Sequence, residues 1–120
     1  MIFHLVPLDD WLRDPDRPYA PSSLAEDGFV HCAPDEAVAL AVADAFYRGT
    51  PGPLMVLLID EEALEARVLW EDADPVPPPG VPQETRFPHV YGRVNRSAVV
   101  GMLEVQRDPE GRAVALAVWS

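Results

Sequence analysis

The sequence predicts a mixed α+β protein, and three features carry that prediction. Short apolar or β-branched runs stand at Ile2–Val6 and Leu54–Ile59, one helical stripe runs through Val38, Ala41, Val42, Ala45 and Phe46, and a closing hairpin is signalled by Asp108-Pro109-Glu110-Gly111. At 120 residues the chain has the length of one domain and is read as a single domain over 1–120.

Taken in order, Ile2–Val6 reads as an opening strand ended by Pro7, with His4 inside it. Pro7 to Leu12 reads as a short helix whose Asp9 and Asp10 suit its positive end. Pro15, Pro18 and Pro21 make 13–23 a loop crossing a surface or a cleft. Gly28 to Ala33 reads as a short strand, and Pro34-Asp35-Glu36 opens a helix that Gly49 closes. Leu54–Ile59, apolar throughout, reads as a buried central strand. Asp60 caps a short helix through Leu64, and Arg67–Glu71 alternates as a strand. The segment 72–86 carries five prolines and reads as a loop insertion of extended or mobile character. Proline confines 87–92 to a strand beginning, an edge or a turn. Val99–Val105 and Arg112–Trp119 complete the hairpin.

Composition narrows the function classes. Twenty acidic residues against nine basic ones, all arginine, give a formal charge of −11, which repels a polyanionic backbone and argues against a nucleic-acid polymer as partner. A local arginine patch still suits one phosphate, so a small nucleotide ligand stays open. No run reaches the roughly 20 apolar residues of a membrane helix, and no secretory signal stands at the N-terminus, so the expectation is a cytoplasmic protein away from membranes. Cys32 is the single cysteine, which excludes an internal disulfide and reads as a small buried residue.

The histidines are the candidate site. His4, His31 and His89 each lie among apolar or aromatic neighbours, where an imidazole must find hydrogen bonds and carries protons near neutral pH. His4 shares a strand face with Ile2 and Val6, and His31 with Phe29. Their separations of 27 and 58 residues match no local zinc motif, so no metal is assigned. Tyr19 and Tyr91, each beside proline or glycine, are candidates to line a pocket, with Tyr19 part of a lid. Glu71, at a strand end, is the carboxylate singled out for acid–base work. Trp11, Trp70, Trp119, Phe46 and Tyr47 read as core or core-edge residues.

Phe3-His4, Pro21-Ser22-Ser23-Leu24 followed by Gly28-Phe29-Val30-His31-Cys32, the helix ending Phe46-Tyr47, and Phe87-Pro88-His89-Val90-Tyr91-Gly92 resemble, in order, the bacterial domain-of-unknown-function 952 family. The chain departs from it in a longer 72–86 segment and in Ala33, where a small hydroxyl residue is common. The resemblance implies the ADP-ribosyltransferase fold, a mostly antiparallel split sheet with two to four short helices. It also implies a cleft for NAD or another ADP-ribose-type nucleotide. No resident cofactor is expected, NAD being a candidate substrate. By resemblance His4 holds ribose, His31 packs on the nicotinamide ring or its ribose, and His89 takes the place usually held by a glutamate. Ser23, Phe29, Tyr91 and Glu71 are expected ligand contacts alongside Tyr19. Cleaving a glycosidic bond builds positive charge that a carboxylate stabilises and a neutral imidazole does not, so position 89 suits general acid–base work on a phosphate or ribose better than usual transfer. The alternatives are a non-catalytic binding or interaction module and a metal-dependent hydrolase using the three histidines.

Overall fold

Two antiparallel sheets meet along one seam in the computed structural model, which describes residues 1–73 and 76–119. The larger sheet has the order β1-β3-β6-β7, from Ile2–Pro7, Leu54–Ile59, Val99–Arg107 and Ala113–Val118. In the smaller, β5 (Arg86–Tyr91) lies between β2 (Val30–His31) and β4 (Arg67–Asp72). The seam is a two-way backbone bridge just beyond β2. Phe3 donates to the carbonyl of Ala33 at 3.0 Å, and Ala33 donates back at 2.6 Å. Three α-helices accompany the sheets among the described residues: α1 (Leu8–Leu12), α2 (Ser22–Asp27) and α3 (Glu36–Phe46).

β3 is the buried strand that its unbroken apolar sequence predicts. Met55, Val56, Leu57 and Ile59 are fully enclosed between β1 and β6, because both faces of the larger sheet are covered. One cluster gathers Ile2, Val6, Val30, Leu57 and Val90, and the other packs α3 on the far side through Val38, Ala39 and Ala43. The C-terminal hairpin turns on Asp108, whose carboxylate accepts from the backbone of Glu110 and Arg112 at 2.9 Å each.

Several expectations need correction. α3 starts one residue after Asp35, whose side chain caps Val38 N–H at 2.8 Å, so Asp35 rather than Pro34 opens it. It ends at Phe46, short of Gly49, and its buried stripe turns away from Phe46, which is left 68 % exposed. Trp70 and Trp119 are exposed too. α2 falls within and just after the predicted loop, and its signal was legible: Pro21 precedes it and Gly28 ends it with φ of 85°, its N–H bonded to Leu24 O. β2 shrinks to two residues.

Pro88 stands inside the central strand of the smaller sheet, which its ring should forbid. The geometry explains the exception. In a strand, a residue's nitrogen and carbonyl point to the same side; the Pro88 carbonyl accepts from Cys32 N–H at 3.2 Å, beyond the end of β2. The missing N–H therefore faces a strand that has already stopped.

Candidate functional site

Alternation along β5 and β4 puts Phe87, His89 and Tyr91 on one face with Leu69 and Glu71, while Val68, Val90 and Cys32 turn into the core. Register then sets His31 directly opposite His89, their ring centroids 5.6 Å apart. Phe29, 7 % exposed, packs beneath them. Its ring stacks on His89 at 4.0 Å and touches His31 at 4.6 Å and Tyr91 at 5.4 Å.

His4 reaches the same region from the larger sheet. Its Nδ1 lies 2.7 Å from the carbonyl of His31, an atom that only accepts, so Nδ1 carries the proton and Nε2 presents a lone pair. Nε2 faces the Tyr19 hydroxyl at the long distance of 3.4 Å. Burial pushes the His4 pKa down to about 4, against a smaller upward pull from the His31 carbonyl, so the ring is neutral at physiological pH. Tyr19 is fixed in turn: its backbone exchanges two 2.8 Å bonds with Val94, and its ring meets Trp11 at 5.7 Å. Burial raises its pKa, so the hydroxyl keeps its proton. Tyr19 is a strapped wall of the site.

His89 has a different partner. Its Nδ1 is 2.9 Å from Glu71 Oε1, which also accepts from the Tyr91 hydroxyl at 2.5 Å. The Tyr91 bond first, and the His89 bond next, lower the Glu71 pKa, so the carboxylate is an ionised acceptor and Nδ1 the donor. Nε2 of His89 bonds to no described residue. Since no fully buried side-chain polar atom among the described residues lacks a partner, this nitrogen opens to solvent. His31, exposed, has its Nε2 2.8 Å from Asp27 Oδ2 across one turn, a solvent-facing contact of little energetic weight.

Between the sheets lies a cleft of about 840 Å³, within the range of small-molecule sites, and His4, His31 and His89 all line it. Tyr19 and Ser23 line it too, the Ser23 hydroxyl without a protein hydrogen bond among the described residues. Phe29, Glu71 and Tyr91 do not. They border a shallow neighbouring hollow that shares His89 with the cleft, and the Tyr91 hydroxyl is bonded to Glu71 there. Phe29 and Glu71 hold the His89 ring, one by stacking and the other by its hydrogen bond. Val76 and Pro78 of the proline-rich segment line the cleft, whereas Asp74 and Pro75 lie outside the described residues.

Four arginines at the cleft, Arg13, Arg17, Arg93 and Arg96, escaped the reading of the sequence, although two flank Tyr19 upstream and two follow Tyr91-Gly92. Cys32 is buried as expected, which raises its thiol pKa and makes it a poor nucleophile. Among the described residues no three His, Cys, Asp or Glu side chains are placed so that they could hold one metal ion.

Two antiparallel sheets joined at one bridge, with a ligand-sized cleft lined from both, define a small α+β domain of split-sheet type. Within that class the chain belongs to the family described as "protein of unknown function (DUF952)", whose model matches residues 5–102. Two crystal structures of protein CC0527 from Caulobacter crescentus share the fold, each with a TM-score of 0.73 over 94 % of this chain and 92 % of that one. Identity is 24 % to one and 23 % to the other, a double mutant. No curated protein matches the chain. No helix among the described residues is long and apolar enough to cross a membrane.

Proposed function

We propose that this chain is an ADP-ribosyltransferase-type domain of the cytoplasm that binds NAD or another ADP-ribose-type nucleotide in the cleft between its sheets and acts on it by general acid–base chemistry. The observation that carries the reading is the convergence of three imidazoles from β1, β2 and β5 on one hollow, two of them with Nδ1 committed to a part-buried hydrogen bond. Commitment of Nδ1 decides what Nε2 does. At His4 a neutral Nε2 accepts a bond from a ribose hydroxyl, for which the 3.4 Å contact to Tyr19 is a weak placeholder. At His89 the Glu71 carboxylate holds Nδ1–H and orients the ring, so that Nε2 takes or gives a proton in the cleft. Glu71 acts through His89 as a positioning residue. A proton carrier with a carboxylate behind it suits attack on a phosphate or at a ribose hydroxyl better than stabilisation of a bare oxocarbenium ion.

Calorimetric titration of the full chain with ADP-ribose and with NAD tests the reading. Saturable heat is expected for at least one of them. His4→Ala should weaken binding about tenfold, the worth of one hydrogen bond lost in a closed site, in protein whose melting curve shows it folded. Absence of heat at millimolar ligand would remove the reading. Unaltered affinity in His4→Ala would remove the role of His4.

A further inference from the structure

We infer that Arg17 and Arg93 form an anion subsite at the mouth of the cleft, built for the pyrophosphate or phosphomonoester portion of its ligand. This rests on the proposed nucleotide reading and assigns the half of the ligand that the histidines do not explain.

The charge distribution is the first ground. The chain has a formal charge of −11, yet four of its nine arginines line this cleft against two acids, Asp10 and Asp14. A surface that is acidic elsewhere turns positive where a ligand would enter, which concentrates and steers small anions toward it.

The partners are the second. Arg13 is held by Asp10 at 2.9 Å. Arg96 is structural: its guanidinium donates to the carbonyls of Arg17 at 2.7 Å and Trp11 at 2.9 Å and lies over the Trp11 ring at 4.2 Å. Arg17 and Arg93 differ from both. Among the described residues neither guanidinium has an ion pair or a hydrogen bond, although both residues line the cleft.

The third ground is rigidity. The two-way backbone bridge between Tyr19 and Val94 ties together the segments that carry Arg17 and Arg93, and the bond from Arg96 to the Arg17 carbonyl pins one of them again. Gly92 lets the chain pass close to Ala66: a Cβ there would stand 2.9 Å from the Ala66 Cβ. Two like charges are therefore held on fixed backbone at one mouth without an ion-pair partner among the described residues, and an oxyanion with several acceptor atoms suits both guanidinium forks.

The subsite is tested by calorimetry with inorganic pyrophosphate, ADP-ribose and adenosine as probes, on the full chain and on Arg17→Gln, Arg93→Gln and the double variant. Arg112→Gln in the distant hairpin serves as the charge-matched control. Both target residues are exposed, and neither side chain makes a hydrogen bond or ion pair among the described residues, so the variants should fold. The wild type is expected to bind pyrophosphate at millimolar concentration, and each substitution to weaken pyrophosphate and ADP-ribose about tenfold, with adenosine and the control unchanged. Pyrophosphate binding lost in the double variant, with ADP-ribose no tighter than pyrophosphate itself, would uphold the subsite and overturn the nucleotide reading. ADP-ribose binding that is indifferent to the double variant would overturn the subsite and leave that reading standing. Binding of neither probe to the wild type would overturn both.

Discussion

Phe29→Ala is expected to lower the unfolding free energy by about 3 kcal/mol, the low end of the range for truncating a buried phenylalanine. The ring is 7 % exposed and packs against His89, His31 and Tyr91 together. Truncation loses apolar burial and leaves a void under His89, which the short β2 cannot close by moving, since Val30 beside it is fixed in the core. Urea denaturation of the variant and the wild type measures the difference directly. A loss below about 1 kcal/mol would mean that the histidine rings are carried by the strands alone. The same variant should weaken ADP-ribose binding, because the His89 ring would no longer have a fixed plane.

Acid should destabilise the fold through His4. Its ordinary value of 6.5 in the unfolded chain drops to about 4 in the folded one, so between those pH values the unfolded chain binds more protons and stability falls as pH falls. Above 6.5 both states are neutral at this site, and below about 4 both are protonated, so the loss is confined to that window. Over the whole window it comes to about 3 kcal/mol, of which about 2 kcal/mol should appear between pH 7 and pH 5, while most carboxylates remain ionised. The reference is His4→Asn, whose stability-against-pH slope contains every contribution except that of this imidazole. Equal slopes in the two proteins would show that His4 is not buried as a neutral ring.

Much of the fold could be read from the residues because local signals and tertiary packing agree there. β3 is apolar at every position and is central; the Asp108 turn closes the last hairpin; Asp60 caps a short 3₁₀ turn over Glu61–Ala63. The misreadings come where a tertiary partner decides. Pro88 looked like an edge residue because nothing in the sequence says that β2 stops after His31. Phe46 fits the helical period, yet α3 meets the sheet through Ala39 and Ala43 instead.

The candidate site divides in the same way. That the three histidines sit among apolar neighbours was legible, and so was Glu71 as a carboxylate near a strand end. The pairing of Glu71 with His89 was not, because it depends on the register between β4 and β5, which sets Glu71 opposite Phe87 and diagonal to His89. Nor was the arginine cluster. Arg17 and Arg93 are far apart in sequence and meet only through the Tyr19–Val94 bridge, and in a strongly acidic chain each looks like an ordinary surface charge. Tyr91 and Phe29, expected as ligand contacts, instead border the shallow hollow beside His89, a placement that depends on how β4, β5 and the turn before β2 come together.

The most direct measurement is a long-range proton–nitrogen NMR spectrum of the imidazole rings, recorded as ADP-ribose is added. Three histidines give three ring systems, each assignable by substitution. The free protein should show His4 as the neutral Nδ1–H tautomer. Added ligand should move the Nε2 signals of His4 and His89 together, along one saturation curve. Signals of both rings that stay still at millimolar ADP-ribose would contradict the account at its centre.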